Sequence, residues 1–180
     1  MQKVKLQFKI QNLINPFIII GIAVVLRLIP HPANVAPIAA MALFGGAYLD
    51  KRYAILVPLV AMVISDIFLG FHDTILFVYG SFLITGFIGV WLKKHKSITN
   101  ILFASLVSSL LFFLITNFGV WLVGNIYPKT ITGLLECFLA AIPFFKNTIL
   151  GDFIYTSLFF GGYEVVLRWV KNTATLKQRA

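Results

Sequence analysis

The feature that most constrains this chain is its succession of long apolar runs, each closed by a short polar break. A helix that crosses the roughly 30 Å hydrocarbon core of a bilayer needs about 20 apolar residues. Six runs approach or exceed that length, at about 13–29, 34–49, 53–71, 75–92, 98–123 and 148–168. The breaks are residues that stop helices or prefer water. Arg27-Leu28-Ile29-Pro30-His31-Pro32 ends the first run, because proline donates no backbone hydrogen bond and restrains its predecessor. Asp50-Lys51-Arg52, His72-Asp73-Thr74 and Lys93-Lys94-His95-Lys96 end the next three.

A water-soluble domain carries about 25% charged residues. Here 12% of the 180 residues are charged and 59% are hydrophobic, so the charge to cover a soluble core is missing. An ordinary cytosolic enzyme, a disordered chain and a coiled coil are excluded on that ground. The expected fold is all-α, a single integral membrane bundle of six transmembrane helices. Residues 1–12 form a basic cytoplasmic segment, 13–168 the bundle and 169–180 a cytoplasmic tail.

Residues 131–145 (ITGLLECFLAAIPFF) are apolar but short, and Glu136 and Pro143 interrupt them. We read them as a short outer-loop helix between spans five and six. Charge supports that choice. The net charge of +9 could suggest nucleic acid, but in a membrane chain Lys and Arg gather on cytoplasmic loops. With six spans and both termini inside, the inner side holds Lys3, Lys5, Lys9, Lys51, Arg52, Lys93, Lys94, Lys96, Arg168, Lys171, Lys177 and Arg179. The outer side holds Arg27, Lys129 and Lys146. A seventh span would move the four C-terminal basic residues outside. The reading is a multi-pass protein of the bacterial cytoplasmic (inner) membrane that contacts the lipid bilayer and no nucleic acid. Ala40-Met41-Ala42 resembles a signal-peptide cleavage site but lies too far along, so the first run is expected to be uncleaved.

Ionisable groups inside a membrane are costly and usually face protein or a water-filled cavity. At about 1.5 Å per residue, Asp66, Asn117 and Asp152 lie roughly 6–9 Å inside the outer boundary. Arg27, His31, Asn34, His72, Tyr79 and Trp121 lie in the same outer half, whereas the inner half is nearly bare of polar side chains. A path across the membrane would need polar groups at successive depths. One-sided placement instead suggests a cavity open to the outside. Two roles stand open for Asp66 and Asp152: contact with a ligand, or structural pairing with Arg27. Arg27 could also snorkel to headgroups.

Catalytic signatures are absent. There is no H-E-x-x-H, no G-x-S-x-G and no P-loop, so no enzyme, resident cofactor or metal centre is expected. The lone Cys137 excludes an intrachain disulfide. Small residues recur at four-residue spacing in Ala36 and Ala40, then Ala42 and Gly46, which permits close helix approach, either within the bundle or to a partner.

These residues carry a resemblance. Arg27 to Pro32, the AAMALFGGAY stretch from Ala39 to Tyr48, Ser65-Asp66 with Leu69-Gly70-Phe71-His72, Thr116-Asn117-Phe118, Pro143-Phe144-Phe145 and Gly151-Asp152 make the chain similar to bacterial six-span proteins without assigned function. Those proteins in turn resemble the substrate-capture (S) components of energy-coupling-factor vitamin transporters. The resemblance implies a helical bundle that binds a vitamin-sized nutrient near its outer face. It also implies a membrane coupling subunit with two ATPases, held against small-residue faces of the early helices. Solitary cobalamin-binding relatives use a cysteine on cobalt, for which Cys137 or His72 would be the counterparts.

The combined expectation is a nutrient-uptake component that takes a small-molecule ligand, a vitamin or cobalamin-like molecule, from outside. Its expected ligand-binding residues are His31, Asn34, Asp66, His72, Tyr79, Asn117, Trp121, Phe144, Phe145 and Asp152. Ala36, Ala40, Ala42 and Gly46 would meet the partner. The rival reading is a membrane scaffold or assembly protein with Asp66 and Asp152 packed and paired and no cavity.

Overall fold

The computed structural model describes residues 16–30, 32 and 34–176, and the chain is helical almost throughout. Six helices follow one another: α1 Pro16–Leu28, α2 Ile38–Tyr48, α3 Lys51–Leu69, α4 Ile75–Leu92, α5 Ile98–Val123 and α6 Ile131–Leu176. The expected basic segment 1–12 and His31 lie outside the described residues.

The helix ends follow from local chemistry. Ser97 caps α5, its hydroxyl accepting from the Asn100 N–H at 3.1 Å. Thr130 does the same for α6 through the Gly133 N–H, also at 3.1 Å. α3 stops at Gly70, which takes φ +92° and donates its N–H to the Asp66 carbonyl at 2.8 Å. That backbone conformation suits glycine and few others.

Boundaries differ from the sequence reading: α2 begins at Ile38 rather than about 34, α6 runs to Leu176 past the expected end near 168, and the stretch before 148 differs most. Residues 131–145 are not a separate helix. They run on without a break into the last helix, giving 46 residues with Pro143 inside. Proline removes one ladder hydrogen bond, yet membrane helices tolerate it where neighbouring groups readjust. Glu136 is no obstacle either, because it sits on an exposed face. At 1.5 Å per residue α6 is about 69 Å long, more than twice a hydrocarbon core.

α2 is the hub. Every residue from Ile38 to Ala47 is buried, and the helix packs against α3, α4 and α6. Such a short helix can be surrounded because alanine and glycine let its neighbours in. A Cβ on Gly46 would stand 2.5 Å from the Gly89 carbonyl carbon, and one on Gly89 would stand 2.6 Å from the Leu43 carbonyl oxygen. The face expected to meet a partner therefore meets α4 of the same chain. Ala40, Ala42 and Gly46 are all buried in this packing, and Ala36 lies at the edge of a cavity.

Large apolar side chains also point outward. Leu76 is 80% exposed and Phe68 is 71% exposed. Extensive apolar exposure is unusual for a protein in water and normal against lipid. The α4 stretch Ile75–Leu92, α5 Ile98–Val123 and Ile131–Trp169 of α6 are long and apolar enough to cross a membrane. The apolar parts of α1, α2 and α3 are shorter, Ile18–Leu28, Ile38–Tyr48 and Ile55–Leu69.

Candidate functional site

All six helices contribute to a cavity of about 420 Å³. Its rim carries the exposed residues Ile29, Leu69 and His72. Its walls are apolar, with Ile38 and Ala39 from α2, Met62 from α3, Val78 and Phe82 from α4, and Phe112 from α5. Phe82 and Phe112 lie ring to ring at 5.3 Å. Four polar side chains besides His72 reach it: Arg27, Asn34, Thr148 and Asp152.

The connection between α1 and α2 folds against α6 beside this cavity. Asn34 adopts φ +64°, a left-handed conformation that asparagine tolerates, and the Val35 N–H turns back to the Pro32 carbonyl at 3.0 Å. Gly151 makes room for that turn. A Cβ there would lie 3.0 Å from the Val35 Cα.

Two buried acidic groups sit in different chemistry. Asp66 is 1% exposed, with Arg27 Nη1 2.6 Å from its Oδ1 and the Tyr79 hydroxyl donating to its Oδ2 at 2.6 Å. The same Arg27 nitrogen donates to the Ser65 hydroxyl and to the Met62 carbonyl at 3.3 Å. Thus the guanidinium of α1 is tied to α3, and α4 joins through Tyr79. Asp152 is 4% exposed and accepts from the Ser109 hydroxyl at 2.6 Å. Ser109 belongs to a run of hydroxyls between α5 and α6, in which Ser105 and Thr156 meet at 3.3 Å. Arg27–Asp66 is the one ion pair found among the described residues, so Asp152 has no cation beside it there.

The expected ligand-binding residues divide accordingly. Asn34, His72 and Asp152 come together around the cavity. Asp66 and Tyr79 stand behind its wall and are committed to Arg27 and to each other. Asn117 and Trp121 do not line it. The Asn117 amide donates to the Phe113 carbonyl at 2.7 Å, and the Trp121 indole to the Pro128 carbonyl at 2.9 Å. Phe144 is half-exposed, and Phe145 packs on Phe113 with centroids 4.6 Å apart. Cys137 is buried against the Asn117 carbonyl, 3.4 Å from its sulfur, and is not part of the cavity. His72 holds Thr74 Oγ1 at 2.9 Å.

Sequence reasoning passed over Ser109, Thr148, Phe82 and Phe112. A signal existed for two of them. Thr148 precedes Asp152 by four residues, hence shares its helix face, and Ser109 follows Ser105 by four. Nothing distinguishes Phe82 or Phe112 from the chain's other phenylalanines.

A profile of a family of unknown function, DUF6580, matches residues 7–175. The chain belongs to DUF6580. This accords with the expectation of a family without assigned function, and the match does not extend to transporter S components. No curated protein and no solved structure shows significant similarity to this DUF6580 member. Its cavity and carboxylates must therefore be interpreted from their own geometry.

Proposed function

We propose that this chain captures a small nutrient at the outer face of a bacterial cytoplasmic membrane and serves as the binding component of an uptake system. The observation that carries the proposal is the cavity of about 420 Å³, with an exposed rim, aromatic walls and a few convergent polar groups. Ligand sites are typically cavities of about 300–1,000 Å³ lined in that way. The protein binds without chemistry in this reading.

In the proposed topology six helices cross the membrane and both termini are cytoplasmic. Joining 131–145 to α6 leaves one crossing after α5, so the basic C-terminal residues stay on the side of Lys93, Lys94 and Lys96. The cavity end then faces outward. Toward the other end the bundle is closed by Phe44, Phe160, Tyr48 and Tyr163. Phe44 lies 5.4 Å from Phe160, and Tyr48 lies 4.3 Å from Tyr163. A ligand bound above this plug needs a further event to leave below it. In this reading a coupling subunit with ATPases, the partner implied by the sequence resemblance to S components, would supply one. Its docking surface would lie elsewhere than Ala40, Ala42 and Gly46. The cavity's size favours a vitamin of one or two rings over a whole corrinoid.

The scaffold reading draws on the packed Arg27–Asp66–Tyr79 group, which has the form that reading expects. Native mass spectrometry of gently purified protein separates the two. Capture predicts a co-purifying small molecule that is lost in Ala39→Phe, whose new ring would occupy the cavity. A folded protein that carries no such molecule, and that no vitamin mixture stabilises against heat, supports the scaffold instead.

A further inference from the structure

We infer that the captured ligand is an amine, a small aromatic or aliphatic body bearing one protonated N–H donor group that docks on Asp152. The inference rests on the capture reading and assigns the chemical class to it.

The argument is a charge balance around one cavity. Arg27 and Asp66 neutralise each other at 2.6 Å, and the remaining Asp66 oxygen takes the Tyr79 hydroxyl. An anionic ligand that reached the other N–H groups of Arg27 would meet a charge that Asp66, 1% exposed, already balances, so the pair leaves no net positive charge to hold it. Asp152 is different. It lines the cavity, it is 4% exposed, and its protein partner is a neutral hydroxyl from Ser109 at 2.6 Å. A carboxylate away from water is stable when a cation and hydrogen-bond donors meet it. Among the described residues no cation stands beside Asp152, and the cavity it lines gives a cationic ligand access to it. Thr148, one turn before Asp152 and also on the cavity, offers a second oxygen to an ammonium. Phe112 and Phe82 complete the wall, and aromatic faces attract cations. Amine recognition thus combines a carboxylate, a hydroxyl and two rings.

The test uses the full chain in lipid nanodiscs and three probes with one shared body: 3-phenylpropylamine, 3-phenylpropan-1-ol and 3-phenylpropanoate. Calorimetry measures each affinity. The expected ranking is amine above alcohol by roughly tenfold or more, the value of a charge-assisted hydrogen bond, with the carboxylate weakest. Asp152→Asn should bring the amine down to the alcohol while leaving the alcohol unchanged. The ranking on the unaltered protein needs no variant, so a misfolded Asp152→Asn does not rescue the idea. Equal binding of all three overturns the amine assignment and leaves the capture reading standing. Preference for the carboxylate overturns it as well and transfers the site to Arg27. If the amine preference survives in folded Asp152→Asn, Asp152 is not its origin. Failure of all three to bind folded protein overturns the amine assignment, while a co-purifying molecule lost in Ala39→Phe would still uphold capture.

Discussion

Gly46 of α2 and Gly89 of α4 touch backbone to backbone. A Cβ on Gly46 would come within 2.5–2.6 Å of the Gly89 Cα and carbonyl carbon and the Val90 nitrogen. No rotamer relieves such a clash, because the obstructing atoms are main chain. Gly46→Ala and Gly89→Ala should each force the two helices apart. Overpacking typically costs about 1–3 kcal/mol, and a backbone obstacle belongs at the upper end. Gly161→Ala is the control, since nothing lies within 4 Å of a Cβ there. Thermal unfolding in one detergent should show two strongly weakened variants and one like the parent.

The Arg27–Asp66 pair should behave as a unit. Removing one member of a buried pair strands the other charge and costs about 3–5 kcal/mol. Arg27→Met and Asp66→Leu are each expected to lower the unfolding temperature sharply. The double variant should recover much of the loss, because replacing both partners by apolar groups is often neutral. Additive losses in the double-mutant cycle would mean that the two residues act separately.

Helix positions were largely legible in the sequence because apolar runs and their polar breaks fix where a membrane chain can be helical. The continuous α6 was not. Pro143 and Glu136 look like interruptions in one dimension, but each is exposed and the remaining ladder bonds carry the helix through. Direction round a helix was not legible either. Asn117 was expected at the cavity from its place along the span, but it follows the cavity-lining Phe112 by five residues, which places it about 140° round the helix. Nor could sequence decide which carboxylate Arg27 meets. Asp66 and Asp152 lie on different helices, and only packing chose the first.

Ser108 and Ser109 are adjacent on α5 and should respond oppositely to alanine. The Ser108 hydroxyl is fully buried and has no hydrogen-bond partner among the described residues. Deleting an unsatisfied buried hydroxyl removes a desolvation penalty, so Ser108→Ala should be neutral or stabilising by up to about 1 kcal/mol. Ser109 donates to Asp152, and Ser109→Ala should destabilise by about 1–3 kcal/mol. Paired melts of the two variants check this, and equal effects would contradict the assigned contacts.

Gly70 isolates a backbone effect. Its φ of +92° is a region that side chains rarely adopt, and no atom lies within 4 Å of the place a Cβ would take there. Gly70→Ala should therefore cost about 1–3 kcal/mol from conformation alone. Asn34, at φ +64°, supplies the comparison. Asn34→Gly should leave stability within a few tenths of a kcal/mol, since glycine enters that region freely. Chemical denaturation of the two variants beside the parent reads both values.

Topology is open to a direct test that also bears on uptake. Cys137→Ser gives a cysteine-free background, into which Lys94→Cys, Lys129→Cys and Lys177→Cys are placed one at a time. Lys94 follows α4, and Lys129 precedes α6 in the connection after α5. If α6 crosses the membrane once, positions 94 and 177 share a side and 129 lies opposite. A membrane-impermeant maleimide added to intact cells should label Lys129→Cys and should reach the other two only after permeabilisation. The reverse pattern would put the cavity rim, with His72 and Asn34, on the cytoplasmic side, where it could not collect a nutrient from outside. Labelling of both 129 and 177 in intact cells would mean that residues 131–145 cross separately from the rest of α6, which a continuous 46-residue helix does not permit.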